Sequence, residues 1–234
     1  MHVHTPEAIL HSTPILSLRP TQMAVGMHEV ERKRKAWADR ELEKISQSLA
    51  THMVPVVLGP DKAPFLIDHH HLALALHRAG VDQVFVTVVA DLHRLDAGTF
   101  WTYMDFRGWT HPYDEKGKRR DYSDLPADVR SLKDDPYRAL AGELRATGGF
   151  AKDSTPFAEF LWADFLRRRI KPKDAKKHFE EALVEAQELA KDRDAAYLPG
   201  WCGIHVPTKA RSDRTKLGKK DRSADGTAEV FSAA

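Results

Sequence analysis

Apolar and polar positions alternate along the first ninety residues in short runs, and the period changes from run to run. Ile15 to Leu18 is a brief apolar stretch stopped by Arg19-Pro20, which predicts a strand; Thr21 to His28, with Gly26, predicts a loop. From Glu29 to Ala50 the apolar positions Val30, Trp37, Leu42, Ile45 and Leu49 recur at helical spacing among charges. Val54-Pro55-Val56-Val57-Leu58 predicts a strand, and proline near its start predicts an edge. Gly59-Pro60-Asp61-Lys62 has turn chemistry, so Phe65 to Asp68 reads as the return strand of a hairpin. His70 to Ala79 is an apolar helical run closed by Gly80, and Val84 to Val89 is the most β-prone segment of the chain.

The pattern then becomes helical. Leu95 to Phe106 predicts a helix ending near Gly108, and the polar stretch from Trp109 to Asp121 predicts a long loop of the kind that borders a site. Asp134-Asp135-Pro136 opens a helix that ends at Gly148-Gly149, with Asp134 as its cap. Thr155-Pro156 opens another to about Arg169, whose residues Phe157, Phe160, Leu161, Phe165 and Leu166 call for a covering surface. Pro172 to Lys191 predicts a third. The fold class expected is α+β: a small mixed sheet followed by a helical region packed against it, with residues 1–93 as the core, 94–200 as the helical extension and 205–234 as a basic flexible tail.

Composition adds limits. The 36 Lys and Arg nearly balance the 34 Asp and Glu, so the chain as a whole is not a general polyanion binder. The exception is Lys209 to Arg222, where seven basic residues stand against two acids. Cys202 is the only cysteine, so no intrachain disulfide forms and a reducing compartment is natural. No apolar run reaches membrane-spanning length, and the first residues lack the regions of a signal peptide; a cytoplasmic protein without a membrane partner is expected.

The chemistry concentrates at Asp68-His69-His70-His71, where an apolar strand meets an apolar helix. Asp68 is a good N-cap residue, which would set the histidines on a first turn whose free N–H groups and dipole favour an anion such as phosphate. Adjacent helical residues point about 100° apart, so three imidazoles cannot converge on one ion. Asp68 with His69 is the candidate metal pair, and His69, His70 and His71 are alternatively phosphate contacts.

The order of elements and this corner resemble the ParB/sulfiredoxin superfamily. The likeness rests on Leu16-Ser17-Leu18-Arg19-Pro20, Val54-Pro55-Val56-Val57 and Ile67-Asp68-His69-His70-His71, over residues 14 to 92. Further segments are similar to the ParB-like nuclease subgroup: Leu18-Arg19-Pro20-Thr21-Gln22, Val25-Gly26, Glu29-Val30, Asp134-Asp135-Pro136-Tyr137-Arg138 and Phe157 to Asp164. Other branches of the superfamily bind nucleotides at the box: partition proteins take CTP, sulfiredoxins ATP, and free-serine kinases ADP or ATP. Their box reads Gly-x-x-Arg or Gly-His-His-Arg, whereas here Asp68 replaces the glycine and His71 the arginine. An acid beside phosphates calls for a bridging divalent metal, Mg or Mn.

The resemblance places Glu29 as a catalytic base, as in the serine-kinase branch, with Glu31 as its neighbouring alternative and Asp68 and His70 as its catalytic companions. Thr21, Gln22, Lys33, Arg138 and Lys152 are the remaining ligand-binding candidates, and Glu159 is a charge among aromatics that needs a partner. The function expected is phosphoryl transfer or hydrolysis on a nucleotide or phosphorylated small molecule. The alternative is a metal-dependent ParB-like nuclease acting on nucleic acid. A third reading, from another class, is a non-catalytic DNA-binding protein of the partition type.

Overall fold

A five-stranded mixed sheet in the order β1-β6-β4-β5-β2 organises the first half of the molecule. The computed structural model describes residues 11–38 and 52–203, all within one compact unit. The strands are β1 (His11–Pro14), β2 (Arg19–Pro20), β4 (Val54–Leu58), β5 (Pro64–Leu66) and β6 (Gln83–Asp91); β3 (Ala24–Val25) pairs separately with β7 (Lys133–Asp134). β4 and β5 form the expected antiparallel hairpin, with Val56 opposite Leu66, while β4 runs parallel to β6.

Alternation along these strands builds a core on each face. Val54, Val56 and Leu66 pack with Val30 and Trp37 of helix α1 (Met27–Ala38) and Leu72 and Leu76 of α2 (His70–Arg78). Val57 and Phe65 turn the other way, against Phe100 and Met104 of α3 (Ala97–Phe106). A third core joins α4 (Pro136–Ala146), α5 (Ala158–Arg167), α6 (Pro172–Lys177) and α7 (Phe179–Leu189) around Leu140, Leu144, Trp162, Phe165 and Ala186. This helical region meets the first where α1 packs on α4; a Cβ added to Gly26 would lie 2.7 Å from the Ala139 Cα, so only glycine allows the approach. Among the described residues no helix is long and apolar enough to cross a membrane.

Several local expectations are corrected. Ile15–Ser17 is a 3₁₀ turn between β1 and β2, because Ile15 donates to Asp82 and the Leu18 N–H closes back on Ile15. The loop after Pro20 contains the short strand β3. β4 is interior rather than an edge, since β5 and β6 flank it. It tolerates Pro55 because that residue sits where the β5 ladder has run out, its carbonyl accepting from the Ile67 amide at 3.2 Å. The last long helix breaks at His178 into α6 and α7. The caps also shift by one: Asp135 caps α4 by accepting from Tyr137, while Asp134 reaches the Met27 amide at the start of α1. Gly80 does end α2, at φ +83, with the Val81 amide returning to the Leu76 carbonyl. Leu42, Ile45, Leu49 and the basic segment of 209–222 lie outside the described residues.

Candidate functional site

The strand-to-helix corner is built differently from a simple capped turn. Asp68 is not the N-cap of α2; His69 is, in the left-handed region at φ 64 and without a capping side chain. The exposed Asp68 carboxylate instead accepts from the His69 amide at 2.6 Å and so braces the turn. Two of the histidines then point inward. His70 and His71 are buried, and their Nε2 atoms accept from the backbone amides of Thr21 (3.2 Å) and Gly26 (2.9 Å).

Both rings are therefore neutral acceptors. Burial first, then the nearby His71 and His69 for His70, and Arg138 and Lys33 for His71, hold their pKa values well below the ordinary range. This corrects the reading of these two imidazoles as phosphate donors and of His70 as a catalytic group at that nitrogen: each Nε2 is spent on tying the Thr21–Gly26 segment to α2. Glu29 lies 3.6 Å from the His71 Nε2, and that contact is not an ion pair, because a neutral nitrogen already accepting from Gly26 offers no proton. Thr21 is buried and structural as well, its hydroxyl donating to the Leu66 carbonyl at 2.7 Å.

A cavity of about 970 Å³ opens above this corner. Of the sequence candidates it is lined by Gln22, Glu29, Lys33, Asp68, His69, His70, His71, Arg138, Lys152 and Glu159. Glu29 is its central acid, 3.2 Å from Lys33 and 3.7 Å from the Arg138 guanidinium. Glu31 is excluded by helix geometry: it turns away to pair with Arg34 and Arg78. Arg138 is buried on α4, stacks 5.3 Å from the Phe160 ring and leaves Nε and Nη1 without a hydrogen-bond partner. Glu159 finds its partner in Arg145. Gln22 turns its amide onto the Ala24 carbonyl at 2.9 Å.

Sequence reasoning missed the aromatic wall. Trp109 and Phe150 line the cavity with Phe157 and Phe160, whose spacing predicts a core face. Behind Phe160 lies His111, 4.2 Å away, which stacks in turn on Tyr113. Burial, with Arg138 and Arg167 nearby, lowers the His111 pKa to about 3. The signal was present in the spacing of Phe157 and Phe160, but it does not separate a cavity wall from a core face. On the same helix Trp162 is core, whereas Leu161 stays half exposed and uncovered.

The matched family is described as "Putative ParB-like nuclease", and its model aligns with residues 11–168. The chain belongs to that family. The ParB-like assignment accounts for the order of segments from Leu18 to Asp164 that the sequence displays. A crystal structure of protein Atu1540 from Agrobacterium tumefaciens is similar at 48% identity, covering 84% of this chain and 100% of that one, with a TM-score of 0.78. No curated protein matches. Within this ParB-like chain, no three His, Cys, Asp or Glu side chains among the described residues are grouped to hold a metal. The pair Asp68 and His69 thus has no third protein ligand beside it among the described residues.

Proposed function

We propose that the cavity binds a phosphate-bearing ligand and that Glu29 acts as the base in its hydrolysis or in transfer of its phosphoryl group. The observation that carries this reading is the buried Arg138 guanidinium, faced by one carboxylate and left with two unmatched donors. A buried cation so poorly compensated favours an incoming anion. Lys33 adds a second positive charge beside Glu29. Glu29 takes the proton of a water or hydroxyl, the freed oxygen attacks phosphorus, and the bond to the leaving oxygen breaks as that oxygen takes up a proton. Arg138 and Lys33 balance the charge on the phosphoryl oxygens meanwhile.

The aromatic wall suits a nucleotide as the phosphate carrier, since ring faces accept a base without regard to sequence. A divalent cation of the Mg type needs only one or two carboxylates, with ligand phosphates supplying further oxygens. Of the four carboxylates that line the cavity, Glu159 is paired with Arg145 and Asp153 accepts from Thr155, which leaves Glu29 and Asp68 as the candidates. The metal would neutralise phosphate charge; the protein-borne steps above do not depend on it. Family membership favours a second reading, in which the phosphate belongs to a nucleic-acid strand and the reaction is phosphodiester cleavage.

Phosphate release from nucleotides should be assayed with and without Mg or Mn, with plasmid and oligonucleotide cleavage run in parallel. Glu29→Gln should retain the fold and lower turnover by about 10²–10⁴-fold. Undiminished turnover in that variant would remove Glu29 from the role. Turnover confined to nucleic acid would select the second reading over the first.

A further inference from the structure

A second pocket, of about 480 Å³, borders the Phe65–Phe100 cluster and shares no lining residue with the cavity at the histidine corner. Its size falls within the range of small-molecule sites. The floor is Phe65 and Phe100 with half-buried Trp101, and the walls carry Pro20, Pro60 and Pro126. The turn bearing Pro60 is pressed onto this floor: a Cβ on Gly59 would come within 2.5 Å of Phe65 and 2.8 Å of Phe100. Asp61 and Lys62 of the same turn both hold positive φ, at 59° and 57°. Consecutive left-handed residues other than glycine persist where the surroundings over-determine them, as at ligand clamps.

Three polar side chains interrupt the apolar lining; the Tyr122 hydroxyl already accepts from Arg119 at 3.2 Å, which leaves Arg19 and Trp101. Arg19 lies 5.7 Å from the Phe65 ring, and no carboxylate among the described residues pairs with it. Trp101 stacks on Tyr122 at 5.0 Å, and no described residue accepts from its indole N–H. One unpaired cation and one neutral donor on an otherwise apolar pocket define a ligand with a hydrocarbon body and a single anionic end. We infer that this pocket binds a small amphipathic anion, an aryl or alkyl carboxylate, held through Arg19.

The two cavities are separable by their own tryptophans, since Trp101 lines this pocket and Trp109 the first. The experiment follows both indole N–H resonances by NMR while benzoate, hexanoate and their neutral amides are titrated into the full chain. The carboxylates should shift Trp101 saturably, with the amides at least about tenfold weaker, and Arg19→Gln should abolish that difference. Arg19 is exposed, so the variant keeps its fold, and unchanged thermal melting checks this. Shifts confined to Trp109, no shift at Trp101, or a carboxylate preference that survives Arg19→Gln would each overturn the assignment. None of these outcomes bears on whether Glu29 acts on phosphate.

Discussion

Acid should unfasten this protein through its buried histidines. His70 and His71 are neutral acceptors in the folded chain, and His111 has its pKa lowered to about 3. In the unfolded chain each titrates near the ordinary value of about 6.5. A folded pKa below the unfolded one means that the unfolded state binds more protons as pH falls. The stabilisation is therefore complete above about pH 6.5 and is lost progressively as pH drops toward the folded values. For His111, with its folded value of about 3, this amounts to about 1.4 kcal/mol over the unit of pH below its unfolded value, and His70 and His71 act in the same direction. Against a typical total of about 5–15 kcal/mol, the His111 contribution alone is a measurable share. The thermal midpoint should fall by at least about 3 °C between pH 7.5 and 5.5. Melting followed by circular dichroism across that range measures it. His71→Gln supplies a carbonyl acceptor for the Gly26 amide without titrating; it should cost stability at pH 7.5 yet flatten the pH slope. A midpoint that does not move between pH 7.5 and 5.5, or an unaltered slope in His71→Gln, would refute the neutral-acceptor assignment.

Asp135→Ala should be among the most damaging single changes, because Arg167 then loses its 2.6 Å partner inside the helical core. A loss of about 3–5 kcal/mol in urea titration is expected, and Asp135→Asn should lose less because its amide oxygen still accepts from Tyr137. Gly26→Ala should cost about 1–3 kcal/mol, since the added carbon meets the Ala139 backbone rather than a yielding side chain. Stability of that variant equal to the parent would show that α1 and α4 separate more easily than their packing implies.

Periodicity and punctuation determined most of the secondary structure. The runs Val54–Leu58, His70–Ala79 and Pro136–Ala146 carry their own period, cap or glycine stop, and these signals are local, so they survive without the rest of the fold. The order of segments likewise displayed the ParB-like family, and Asp68 to His71 marked the corner on which the cavity opens. The roles at that corner were not local. Whether an imidazole donates to a ligand or accepts from an amide depends on what lies opposite it. Here the opposing groups are the amides of Thr21 and Gly26, separated from His70 and His71 by 49 and 45 positions along the chain. The same holds for Arg138, whose meeting with Glu29 and Phe160 requires α4 to cross α1 at Gly26, and for Pro55, whose place inside the sheet depended on where β5 ends. Short-range spacing fixes which way a side chain leaves its own helix or strand; only the packing of distant elements decides what it then meets.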